Sequence, residues 1–271
     1  MTALAQAPAA APEELLPLLE ELRRGCAGIL GEDLTGLWLH GSAAMGCWNP
    51  LRSDLDLLAV AEAPLEPVQK RRLLDVLEAL WPQAPAKGIE LSVVLRDVAM
   101  EPFFPAPYEL HYSPGWRAVY RADPDSLCNC NYKTDRDLPA HFAVVRAWGI
   151  PLAGPEAREV FGPVAREDFL RSVLWDLDSS EADLPLNPTP VILNLCRTLA
   201  FVHEGRLLSK AQGGRWAAGA LPEWKWLVCR ALEDYGGRHH YTFDLQAGRA
   251  FCRQALEEIR ALAEAGGGPA L

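Results

Sequence analysis

Asp54 and Asp56, separated by one leucine, open a short apolar run, and a Gly-Ser pair, Gly41-Ser42, closes another such run before eleven intervening residues. The sequence predicts a strand over 34–39 (LTGLWL) and a second over 54–60 (DLDLLAV). Between them lies a turn-rich segment with Asn49-Pro50 and Ser53. Residues two apart in a strand project from the same face, so Asp54 and Asp56 are expected side by side. Two carboxylates that close repel one another unless a cation neutralises them. Oxygen-only pairs of this kind suit Mg²⁺, a hard ion that also accepts phosphate oxygens. A third strand is predicted over 89–95 (IELSVVL), and Glu90 stands opposite in pleat phase to Ile89, Leu91 and Val93. It brings a third carboxylate toward the same sheet face. Gly41 followed by a small hydroxyl residue lets backbone N–H groups approach a phosphate, helped by a helix that should open there.

The remaining pattern divides the chain. Leucines at 15, 16, 18, 19 and 22 give a helical stripe within 13–30, and Leu73, Leu74, Val76, Leu77 and Leu80 give another within 67–81. Residues 108–137, rich in Pro, Tyr and Trp, read as irregular; 138–148 read as a helix, and 149–163 as a linker-like run with Gly and Pro. From there the pattern is helical, over about 166–177, 190–203, 209–218, 222–235 and 245–264. Pro190 suits a first turn and Gly205 a C-terminal stop. The expected architecture is an α/β domain with a mixed sheet (13–157) followed by an all-α helical bundle (158–271), behind a flexible N-terminus (1–12).

Bulk properties narrow the function classes. A formal net charge of −10 argues against a nucleic acid as main partner and draws cationic small molecules instead. The N-terminus lacks a basic segment before an apolar one, and no run approaches the ~18 apolar residues of a membrane span. Seven scattered cysteines, with Cys128 and Cys130 one residue apart and no second pair, read as reduced thiols of a cytoplasmic protein rather than a zinc site or a disulfide framework. His40, His111 and His141 have no Ser or Cys partner spacing that specifies a hydrolase, and read as structural or peripheral.

At the residues just described the chain resembles the nucleotidyltransferase superfamily that includes DNA polymerase β. It is similar in particular to the aminoglycoside 3''-adenylyltransferases, which inactivate streptomycin and often spectinomycin. The core LHGSAAMGCWNPLRSDLDLLAV carries the likeness. Further matches are Ile89-Glu90-Leu91, Tyr108-Glu109-Leu110 with Trp116, and Asp137-Leu138 running on to Leu152-Ala153-Gly154-Pro155. In the helical part, 191–197, 205–210 and, more loosely, Tyr235 match.

The resemblance implies adenylyl transfer from ATP to a hydroxyl of a cationic aminoglycoside or aminocyclitol antibiotic, a resistance activity of a protein acting as a monomer. Asp54 and Asp56 would hold Mg²⁺ against the triphosphate, and Glu90 would serve as general base or, as in polymerase relatives, as a further metal ligand. Gly41 and Ser42 would touch a terminal phosphate. Arg197 and Lys210 would meet the phosphates from the helical domain, with Tyr235 beside the nucleotide. Trp116, Trp175 and Asp183 fall where the family contacts its drug, although the lengthened 179–187 segment makes Asp178 or Glu181 an alternative acid. The same residues leave two other readings open: transfer to another small-molecule or protein hydroxyl, and a non-catalytic nucleotide-binding module.

Overall fold

The computed structural model describes residues 10–128, 133–237, 239–266 and 271. By contact density these fall into two compact units, divided between Asp168 and Phe169.

The first unit is built on a sheet. Its strands are β1 (Leu34–Leu39), β2 (Leu55–Ala61), β3 (Ile89–Leu95), β4 (Ala106–Tyr108), β5 (Leu110–Tyr112), β6 (Lys133–Asp135) and β7 (Ile150–Ala153). Among the described residues, five of them form one sheet in the order β5-β3-β2-β1-β7, while β4 and β6 pair separately. Only β2 and β3 run parallel; β1 pairs antiparallel with β2 and β7, and β5 with β3. The mixed sheet expected from the sequence is therefore present.

The helices of this unit are α1 (Leu16–Leu30), α2 (Gly41–Ala44), α3 (Pro67–Leu80), α4 (Arg96–Met100), α5 (Pro114–Ala122), α6 (Leu138–Trp148) and α7 (Ala157–Val160). Helix α3 starts where Pro67 fills its first turn and Glu66 and Gln69 form a reciprocal capping box. The leucine stripes of α1 and α3 join Leu37, Leu39, Leu55, Leu57, Ala59, Leu91 and Val93 in one buried cluster on one sheet face. Each such leucine contributes about 2 kcal/mol of transfer free energy. The alternate residues point the other way, where Trp38 packs edge-on against Phe161 at 5.1 Å and Phe142 lies 5.8 Å from the same ring. Because one layer claims Leu55, Leu57, Ile89 and Leu91, pleating sends Asp56 and Glu90 to the opposite face.

Two segments differ from the sequence reading. Residues 108–137, expected to be irregular, contain β5, α5 and β6, and 149–163, expected to be a linker, contains β7 and α7. These strands have three or four residues and owe their existence to a partner, as in the pairing of Leu39 with Ile150 and of Ser92 with His111. Helix α5 carries Gly115 at its second position, which masks its periodicity.

The second unit is helical, with α8 (Arg166–Leu177) running into it, then α9 (Ser180–Asp183), α10 (Pro188–Glu204), α11 (Lys210–Ala220), α12 (Lys225–Tyr235) and α13 (Leu245–Glu264). Helix α10 ends at Gly205, which takes the left-handed conformation expected of it, φ 69°. Helices α10 and α11 approach so closely that a Cβ on Gly213 would stand 2.5 Å from the Arg197 Cα. Of the two neighbouring cysteines, Cys128 is buried and Cys130 lies outside the described residues. No helix among the described residues is long and apolar enough to cross a membrane.

Candidate active site

The parallel pairing of β2 with β3 sets Asp56 directly beside Glu90. Asp54 lies one residue before β2, in the approach to the strand rather than inside it. One carboxylate oxygen from each of Asp54, Asp56 and Glu90 can be chosen so that all three lie within 4.8 Å of one another. The two-residue spacing and the strand register produce this cluster together. The donor set is oxygen-only and anionic, which fits Mg²⁺ and the phosphate oxygens it shares.

Gly41 and Ser42 follow β1 at the same end of the sheet. The His40 backbone N–H donates to the Asp56 carbonyl at 3.0 Å, tying this turn to the acid strand. Gly41 has φ +60°, and a Cβ on it would overlap Asp56 Oδ2. The glycine is required both by conformation and by the approach of the carboxylate. The helix expected to begin here is a single turn, α2, with little macrodipole, so the anion-binding capacity rests on local N–H groups and the hydroxyl. Ser42 Oγ is buried and has no hydrogen-bond partner among the described residues. An unmade buried hydrogen bond costs about 1–3 kcal/mol, and a phosphate oxygen would satisfy it.

Beside the acids lies a pocket of about 410 Å³, walled by Glu90, Tyr108, His111, Trp116, Asp135 and His141 among others. Trp116 is 36% exposed, with Lys133 Nζ 5.2 Å from the centre of its ring, so the indole already faces a cation. Burial pushes the Glu90 carboxyl above the usual carboxylate range; His141 and His111 oppose this, and Asp54 and Asp135 reinforce it. Burial holds His111 below the ordinary imidazole value and His40 well below it, His141 adding to the effect at His40. A carboxylate poised upward in this way is suited to accept a proton near neutral pH.

The structure thus gathers Asp54, Asp56, Glu90, Gly41, Ser42 and Trp116 in the first unit. Asp135, Tyr108, His111 and His141 join them, although nothing in the local sequence of the histidines points to a chemical role. Tyr108 and Asp137 belonged to segments that carried the family likeness, and that was the available signal.

The remaining candidates belong to the second unit. Lys210 is the first residue of α11, whose Ser209 and Gln212 form a capping box. A cation at a helix N-terminus opposes the macrodipole, so Lys210 is not placed there for helix stability. Arg197 lies on α10, and Tyr235 closes α12. Trp175 on α8 is 52% exposed. Among the acids, Asp178 pairs with Arg260 at 2.7 Å and Glu181 with Arg253 at 3.3 Å, whereas Asp183 accepts a hydrogen bond from Ser179 at 2.5 Å. Asp183 is the one of the three with no arginine among these contacts.

Three clustered carboxylates able to hold a divalent cation, beside a Gly-Ser turn, form the kind of arrangement that nucleotidyl transfer requires. Residues 159–258 match the profile of the aminoglycoside adenylyltransferase C-terminal domain. The chain is 27% identical over 239 residues to an aminoglycoside (3'') (9) adenylyltransferase of Escherichia coli, covering 83% of this chain and 84% of that protein. A Klebsiella pneumoniae protein of the same name is 27% identical over 218 residues, covering 76% and 79%. The fold is also that of the spectinomycin adenyltransferase AAD(9) from Enterococcus faecialis, crystallised with ATP and spectinomycin. The TM-score is 0.76 at 18% identity, over 90% of this chain and 98% of that one. The chain is thus similar to aminoglycoside adenylyltransferases over most of its length.

Proposed function

We propose that the protein transfers the adenylyl group of ATP, with Mg²⁺, to a hydroxyl of an aminoglycoside or aminocyclitol antibiotic such as streptomycin or spectinomycin, in the cytoplasm. The observation that carries this reading is the convergence of Asp54, Asp56 and Glu90 next to a pocket walled by Trp116. The names of the relatives and the ligands of AAD(9) support the acceptor class. An indole and carboxylates are apt partners for guanidinium or ammonium groups.

Asp54 and Asp56 would hold the metal, whose charge, when bound, would offset that of the triphosphate. Ser42 and the Gly41 turn receive a terminal phosphate. Glu90 takes the proton from the acceptor hydroxyl as its oxygen bonds to the α-phosphorus, and the bond from that phosphorus to the β-bridging oxygen breaks to release pyrophosphate. Arg197 and Lys210 stabilise the charge that gathers on pyrophosphate, and Tyr235 packs beside the nucleotide. Trp116, Trp175 and Asp183 receive the drug.

Pyrophosphate release from Mg-ATP, assayed with streptomycin, spectinomycin and a lincosamide, tests the acceptor. Turnover of either of the first two supports the reading, and its absence with both moves the acceptor elsewhere. Arg197→Ala and Lys210→Ala are each expected to weaken Mg-ATP binding in calorimetry by about tenfold, the loss of one charge-assisted contact. Unchanged affinity in both would remove these residues from the phosphate site.

Glu90→Gln is expected to lower turnover by roughly 10²–10⁴-fold while leaving Mg-ATP affinity nearly unchanged. A fall in ATP affinity as large as that of Asp54→Asn would make Glu90 a metal ligand instead. The wild-type rate should fall as pH drops through the raised Glu90 value, and the Gln variant should lose that limb. The stability consequence has the opposite sense. A carboxyl raised on folding favours the folded state fully below its unfolded value, and that contribution is lost as pH rises through the folded value. Ligand-free Glu90→Gln should therefore melt higher than wild type at neutral pH.

A further inference from the structure

Glu90 has three rotatable side-chain bonds and shares its surroundings with two aspartates that repel it, so something must fix its carboxylate. The nearby imidazoles differ in how they are engaged. His111 Nδ1 lies 3.0 Å from the Ser92 hydroxyl and 3.8 Å from Asp135 Oδ2, which commits that nitrogen to the neighbouring strand β3 and to β6. His141 Nδ1 stands 3.9 Å from Glu90 Oε1. Its backbone N–H donates to the Asp137 carbonyl at 3.1 Å, placing it in the first turn of α6. Its ring packs against the His40 ring at 5.2 Å, tilted by 53°. His40 is itself buried, 3% exposed, and is tied by its backbone to Asp56. The pocket is lined by Glu90 and His141 but by neither Asp54 nor Asp56. The imidazole therefore meets the carboxylate on the pocket side, where an acceptor hydroxyl has to arrive.

We propose that His141 is a positioning residue: braced by its tilted ring contact with His40, it holds the Glu90 carboxylate toward the acceptor hydroxyl. At 3.9 Å the contact is longer than a hydrogen bond, and a small rotation of either side chain closes it. Hydrogen bonds of catalytic groups commonly shorten only once the substrate is in place. The proposal rests on Glu90 being the general base. It adds a residue that works through Glu90 and touches neither phosphate nor metal.

The test is a double-mutant cycle on the full chain, with pyrophosphate release from Mg-ATP and spectinomycin as the readout. His141→Leu is expected to lower kcat about 10–100-fold, the usual loss when the partner of a functional group is removed, with KM for ATP unchanged. His141→Asn, which keeps an amide nitrogen near the position of Nδ1, should recover most of that loss. In the Glu90→Gln background His141→Leu should have no further effect. Multiplying losses, or an unchanged kcat in His141→Leu, overturns the proposal. Wild-type turnover in Glu90→Gln would instead sink the base assignment, and the proposal with it. Thermal unfolding of the same four proteins needs no acceptor. The Tm shifts of the two single variants should fail to add, and additive shifts overturn the contact itself.

Discussion

Asp54→Asn and Asp56→Asn are each expected to reduce nucleotidyl transfer by about 10³-fold or more while leaving the protein folded. Losing one preorganised electrostatic group at a reacting centre costs about 10²–10³-fold, and each aspartate is also proposed to hold the metal. Three carboxylates offer oxygens within 4.8 Å of one another, so removing one charge relieves repulsion. Thermal unfolding without nucleotide should accordingly show no loss of Tm in either variant. Mg-ATP binding should weaken in both, and EDTA should weaken nucleotide binding in wild type toward the variant level. Near-wild-type turnover with Mg-ATP in either variant would end the two-aspartate metal site.

Gly41→Ala is the other change with a large expected effect, although it removes no functional group. At φ +60° an alanine costs roughly 1–2 kcal/mol, and its Cβ would overlap Asp56 Oδ2. The backbone must shift, Asp56 must turn away, or both. The variant should lose transfer as fully as Asp56→Asn and, unlike it, should also melt lower. The two causes separate in Gly41→Ala combined with Asp56→Ala. Removing the carboxylate relieves the overlap and should recover part of the lost Tm, leaving the conformational strain. A Gly41→Ala protein with wild-type Tm and turnover would show that the turn is not held against the acid strand.

The His141 cycle and the Glu90 titration differ from these two in kind. They test how a carboxylate is aimed and poised, whereas the aspartate and glycine variants test whether the phosphate-binding end of the sheet exists at all. Asp54, Asp56, Gly41 and Ser42 are legible in the sequence because the start of one strand and one turn define their spacing. Glu90 was legible as a pleat phase, but its place beside Asp56 needed the β2–β3 register. Asp178 and Glu181 looked interchangeable with Asp183 on the chain, until helix packing paired the first two with Arg260 and Arg253.

The sequence by itself determined β1, β3, most of the helices, the acid spacing and the stop at Gly205. All of these depend on periodicity, capping and backbone conformation, which act over a few residues. Only the tertiary structure decided that β5 and β7 are strands, since three- and four-residue segments have no periodicity to read and exist by pairing with distant partners. It also decided the wall of the pocket. His141 on α6, His111 on β5 and Asp135 on β6 reach Glu90 from separate elements, each with ordinary local sequence. Burial beside a carboxylate gives such residues a chemical role, and burial is a property of the packed chain.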